Sequence, residues 1–184
     1  MRASSRIPHA MDVHRVEPDD EAAERPRAHR HPRTLGRELA LQYLYMHDVL
    51  EGKDVQLLSD FLGVQEPRPD AESADFARAL VDAVVAHREE LDAEIAAAAT
   101  NWKLSRMAIV DRNILRLGLA ELISQRETPY KVVINEAVEL ARLFSSEAAC
   151  GFVNGLLDRL RAKLRPGEKP SDPALKSVPP PDAP

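Results

Sequence analysis

Apolar residues along the chain recur at helical spacing in six segments. Leu35, Leu39, Tyr43, Met46 and Leu50 step by four, four, three and four, which predicts a helix over 33–50 opened by Pro32 and ended by Gly52. A short helix follows from Val55 to Leu62, closed by Gly63, and Pro67 to Asp70 reads as a loop. Phe76, Leu80, Val84, Leu91 and Ile95 share one face of a long helix over 73–98, whose other face carries Glu89, Glu90 and Asp92. Over 105–124 the pattern changes. Val110, Ile114 and Leu117 define one face, while Leu115, Leu119, Leu122 and Ile123 cover much of the rest, so this helix must be buried on more than one side. It is the predicted centre of the fold, and Gly118 in its middle suits a close approach by another backbone. Thr128 and Pro129 read as an N-cap and first helical position, preceding a helix with Val133, Ala137, Leu140, Ala141 and Phe144 inward. After Ser145 and Ser146, a last helix runs to Leu164 with Phe152, Val153, Leu156, Leu157, Leu160 and Leu164 inward. The expectation is an all-α bundle of about seven helices without strands.

Composition sharpens the boundaries of this bundle. Of 14 prolines, four lie in 1–33 and seven in 165–184, so the 131 residues between hold only Pro67, Pro69 and Pro129. Three parts follow: a disordered N-terminal extension over 1–29, a helical domain over 30–164, and a disordered proline-rich tail over 165–184. Seven glycines and 4% aromatics disfavour a sandwich or barrel. No run approaches the roughly 18 apolar residues of a membrane span, and no signal-peptide pattern opens the chain, so a cytoplasmic location is expected. One cysteine, Cys150, permits neither an internal disulfide nor a multi-thiolate metal site.

The net charge of −5 conceals a segregation. Residues 25–37 carry Arg25, Arg27, Arg30, Arg33 and Arg37 with no acid, a local charge of +5; residues 48–94 sum to −9 and residues 95–164 to +3. The entry segment suits an anion and the acidic block faces elsewhere. The bland alternative is a solvated surface in an arginine-rich chain, with 19 Arg against 6 Lys. If a helix starts at Pro32, Arg33 and Arg37 share a face, with the upstream arginines on an arm able to follow a phosphate backbone. Phe144 and Phe152 flank the last helix junction, where an exposed ring would stack on a base; core packing is the favoured role for both on spacing alone, more firmly for Phe144.

Catalytic footprints are missing. There is no P-loop, dinucleotide fingerprint or H-E-x-x-H motif; His29 and His31 make a weak metal pair, and Cys150 reads as a small packing residue. An enzyme is not expected, and neither is a cofactor.

Four blocks, RELALQYLY (Arg37–Tyr45), DRNILRLGLAEL (Asp111–Leu122), PYKVVINEAVELA (Pro129–Ala141) and FVNGLLD (Phe152–Asp158), together resemble the NusB family of bacterial transcription antitermination factors, in order over about 30–164. The resemblance implies two packed three-helix subdomains plus an extra helix. It implies binding of the single-stranded boxA element of ribosomal RNA leaders together with NusE, a small-subunit ribosomal protein, in a complex that reaches RNA polymerase and other antitermination factors indirectly. The family's arginine-rich motif falls on Arg33-Thr34-Leu35-Gly36-Arg37, where Arg33 and Arg37 fill two of four arginine positions and Thr34 and Leu35 depart. Arg27 and Arg30 are upstream substitutes. Phe152 matches an aromatic near the family's RNA path, and Tyr45 and Asp111 fall on positions at or near the NusE surface. For Asp111 a basic partner also avoids the cost of an unpaired carboxylate inside the central helix. Two rivals remain: a homodimer whose interface occludes the RNA surface, and an accessory domain for an RNA-modifying enzyme, since NusB-like domains also occur fused to RNA cytosine methyltransferases.

Overall fold

The computed structural model describes residues 31–52, 57–99 and 103–167. Among these residues the chain forms seven α-helices and no strand: α1 (Pro32–Val49), α2 (Leu58–Gly63), α3 (Ala71–Ala86), α4 (Arg88–Ala98), α5 (Ile109–Ser124), α6 (Tyr130–Phe144) and α7 (Glu147–Leu164), with a single 3-10 turn at Leu104–Arg106 before α5. The helical periodicity thus reads through to the fold, and α5 holds the predicted central place. It packs on α1, α3, α4, α6 and α7, with α1 against α3 and α6 against α7 as the other main pairings. Ile114, Leu115, Leu119 and Leu122 of α5 are fully enclosed, meeting Leu39, Leu80, Ile95, Ile134 and Leu157 from the surrounding helices. Each such side chain contributes about 1.5–3 kcal/mol by leaving water.

Local chemistry sets several helix starts. Pro32 takes the first position of α1, as expected, and the His31 ring accepts from the Arg33 amide at 3.3 Å. Asp70 caps α3 by accepting from the Ser73 amide at 2.7 Å, and Ser146 caps α7 by accepting from that of Ala149 at 3.3 Å. At α6 the expected cap fails. Pro129 is the residue before the helix, and no side chain caps it. Thr128 is engaged elsewhere: its hydroxyl accepts from Arg33 at 3.3 Å and its carbonyl from Arg165 at 3.1 Å.

The long helix expected over 73–98 is two helices, parted at His87 with φ −117° and ψ 23°. No proline or glycine marks this break. Beyond it, Leu91 and Ile95 are buried and Arg88 donates to Asp48 of α1 at 2.6 Å, so long-range contacts reward the turn that local propensity resists. The folded unit also reaches past Leu164. Arg165, which the tail was expected to include, is buried, donating to the carbonyls of Leu122 at 2.8 Å, Gln125 at 3.3 Å and Thr128. It satisfies the exposed carbonyls that end α5.

Two glycines permit close packing. A Cβ on Gly36 would stand 2.9 Å from the Ser73 carbonyl oxygen, so α1 and α3 touch there through backbone. On Gly118 it would stand 2.7 Å from Leu157 Cδ1, so the neighbour predicted to be a backbone is a leucine side chain. Leu50, Ile123 and Phe144, all expected inward, are exposed at helix ends, where the stripe outruns the core. Val55 lies outside the described residues.

Candidate nucleic-acid interface

The first turns of α1 lie against α3, α5 and α6. Arg33, half-buried, donates to the Thr128 hydroxyl, with its guanidinium carbon 5.4 Å from the centre of the Phe76 ring. That of Arg37 lies 5.1 Å from the same ring. Both are within cation–π range of one aromatic. Their surroundings then diverge. Arg37 is only 4% exposed and grips Glu121, itself 2% exposed, through two hydrogen bonds: Nε to Oε2 at 2.8 Å and Nη2 to Oε1. Its Nη1 lies 3.4 Å from Oε2 of Glu136, whose Oε1 accepts from the Thr34 hydroxyl at 3.1 Å. Arg33 and Arg37 do share the helix face that their spacing implies, but they differ in exposure, with Arg37 turned inward. Glu121 of α5, buried, and Glu136 of α6, half-buried, hold Arg37 inside, so Arg33 is the more accessible of the pair. Arg27 and Arg30 lie outside the described residues, as do Arg25 and His29.

The two aromatics exchange the ranking that spacing assigned them. Phe144, favoured for the core, is 38% exposed at the last position of α6, whereas Phe152 in the second turn of α7 is half-buried and packs against the core. The candidate at Phe152 therefore offers part of a ring whose remainder is held by packing. Cys150 is buried, as a packing residue should be, and burial pushes its thiol up.

Tyr45 and Asp111 stand in contrast. Tyr45 is 46% exposed on α1, open to a partner. Asp111, in the first turn of α5, is 8% exposed, and its Oδ1 has no hydrogen-bond partner among the described residues. Burial pushes its carboxyl above the usual range, against the pull of a hydrogen bond from Ser145. Asp111 is therefore buried in the central helix after all, with Ser145 offsetting part of the cost of burying its carboxylate. Tyr45 and Arg33 are twelve positions apart on one helix, about 18 Å along its axis at 1.5 Å per residue. The anion-facing and partner-facing candidates are therefore separate.

A polar network that sequence reading missed joins α1, α4 and α5. Asp48 accepts from Arg88 at 2.6 Å, Arg116 at 2.8 Å, and Arg112 and Asn113 at 3.3 Å each. Arg116 also donates two bonds to Asp92, at 2.6 and 2.7 Å. Burial would raise the Asp48 carboxyl, but the charges and hydrogen bonds of Arg116 and Arg88 outweigh it and hold the group below its usual range. The available signal was Arg112 and Arg116 at i, i+4 in an otherwise apolar helix, whose charges demand partners if buried. No cluster of three metal-ligating side chains occurs among the described residues, and no helix there is long and apolar enough to cross a membrane.

The fold is an all-helical bundle in which α1 carries a half-buried arginine at its start and an exposed tyrosine toward its end. Residues 34–162 match the NusB family, and the chain belongs to it. The transcription antitermination protein NusB of Geobacter sulfurreducens is 44% identical over 132 residues, covering 72% of this chain and 95% of that protein. The counterpart from Anaeromyxobacter dehalogenans strain 2CP-1 is 48% identical over 138 residues, covering 74% and 95%. Among solved structures, NusB of T. maritima superposes with a TM-score of 0.66 at 28% identity, covering 73% of this chain and 93% of that one. A chain in a crystal structure of antitermination factors NusB and NusE in complex with dsRNA gives 0.65 at 30% identity, covering 72% and 97%. The family is one of non-enzymatic transcription antitermination factors.

Proposed function

We propose that this chain binds the boxA element of ribosomal RNA leader transcripts as a single strand, jointly with the NusE-type small-subunit ribosomal protein, and so supports processive transcription of ribosomal RNA in the cytoplasm. RNA polymerase and the other antitermination factors are reached through that complex. The observation that carries this reading is the likeness to a chain solved with NusE and dsRNA, at 30% identity over 72% of this chain. The layout of α1 agrees with it. Arg33 with the upstream Arg27 and Arg30 supplies the phosphate-facing edge, Phe152 a ring for a base, and Tyr45 with Asp111 the partner face, so RNA and protein can be held together without competing.

The test is a fluorescence-anisotropy titration of a boxA-like RNA, single-stranded and annealed to its complement, with and without the ribosomal partner, over a range of salt. The partner should tighten binding of the single strand. Arg33→Ala should weaken it and reduce the slope of log affinity against log salt by about 0.7, the share of one phosphate contact on a single strand. Equal salt slopes for wild type and Arg33→Ala would refute the arginine assignment. A chain that stays dimeric by light scattering, with or without RNA, and binds neither RNA nor partner would refute the adaptor reading as a whole.

A further inference from the structure

An arginine at the mouth of a basic segment, once buried, has two possible roles: a phosphate contact drawn inward for want of ligand, or a fixed strut. Three contacts around Arg37 favour the strut. Glu121 meets it with both carboxylate oxygens in the fork-to-fork arrangement that fixes a guanidinium in plane, and both side chains are buried. Glu136 approaches the remaining face at 3.4 Å and ties the neighbouring Thr34 hydroxyl through its other oxygen. Phe76 of α3 lies under the same guanidinium. Helices α3, α5 and α6 therefore converge on one side chain of α1. Releasing it to a phosphate would leave Glu121 as an unpaired buried carboxylate, which is strongly unfavourable.

From this we infer that Glu121 and Glu136 are positioning residues of the RNA interface. They hold Arg37 as an internal strut that sets the direction of the first turns of α1, and with it the placement of Arg33. The inference rests on the proposed RNA-binding reading and assigns a role to two acids that would otherwise only repel a phosphate backbone. One turn of helix separates Arg33 from Arg37, so a shift at the strut is transmitted to Arg33 as rigid displacement.

The experiment is the same anisotropy titration with the full chain and the ribosomal partner, using Arg37→Lys, Arg37→Gln and Glu136→Gln, each at a temperature where circular dichroism shows it fully folded. A strut predicts that Arg37→Lys, which keeps the charge and loses the fork, weakens RNA binding about as much as Arg37→Gln and with the same salt slope, whereas a direct phosphate contact predicts a lower slope for Arg37→Gln alone. Glu136→Gln, at the half-exposed edge of the cluster, should weaken binding about two- to five-fold, the scale of a partly exposed ion pair, with faster hydrogen exchange in the first turns of α1. Three outcomes overturn the inference alone: full binding by Arg37→Lys, a slope lower by about 0.7 in Arg37→Gln than in Arg37→Lys, or tighter binding with a steeper slope in Glu136→Gln. Wild type that shows no salt-dependent binding at all overturns the RNA reading, and the positioning role falls with it.

Discussion

Replacing Asp48 with asparagine keeps the shape of the side chain and removes one charge from the network that joins α1, α4 and α5. In the wild type this carboxylate is buried and accepts from three arginines and Asn113. Removing one member of a buried ion pair costs about 3–5 kcal/mol, because the remaining charge stays buried without its partner. Arg116 still donates two bonds to Asp92, and Arg88 and Arg112 can turn toward solvent, so the lower end applies, about 3 kcal/mol. For a domain of this size that is a drop in Tm of about 6–12 °C. Urea and thermal unfolding followed by circular dichroism measure it directly. The pH dependence adds a second check. The folded-state carboxyl lies below its usual range, so its stabilisation is fully present above about pH 4 and is lost as pH falls through the folded value. The difference between wild type and Asp48→Asn should therefore be constant near neutrality and shrink in acid. A loss under about 1 kcal/mol at pH 7, or a difference that widens in acid, would refute the network as the source of stability.

Three further outcomes follow from the packing. Arg165→Ala should cost about 2–3 kcal/mol in a urea titration, since three carbonyls at the end of α5 and in the loop after it lose a charged donor; a change within 0.5 kcal/mol would mean water replaces it freely. Gly36→Ala should destabilise more than Gly118→Ala, because the first new methyl meets the Ser73 backbone oxygen and the second a leucine tip that can rotate, and the ordering is read from paired melts. Asp111→Asn should stabilise the free protein by about 1 kcal/mol at pH 7 while weakening the ribosomal partner's binding in calorimetry. Its sign runs opposite to that of Asp48: a carboxyl raised by burial destabilises the fold once ionised, so the gain is full above the folded value and vanishes below the unfolded one. An Asp111→Asn variant less stable than wild type at neutral pH would count against this account.

Much of the fold was legible in the order of apolar residues. Steps of three and four give a helix whatever surrounds it, and a segment apolar on most sides, such as 110–122, must sit in the middle because no other place removes it from water. Periodicity also located the start of α1 at Pro32 and the junction of α6 and α7 at Ser145 and Ser146. It says nothing of which distant element a given face will meet. Arg37 and Glu121 lie 84 positions apart, and only their meeting turns a candidate RNA contact into an internal strut. Likewise Arg33 and Arg165 draw Thr128 away from the cap position, Arg88 reaches Asp48 where the α3–α4 break turns the chain, and the end of α6 leaves Phe144 outside while Phe152 packs in. Local spacing determines conformation because its energies act within one or two turns. The fate of each charge and ring was left to the tertiary structure, because the desolvation and pairing energies that decide it depend on neighbours brought from far along the chain.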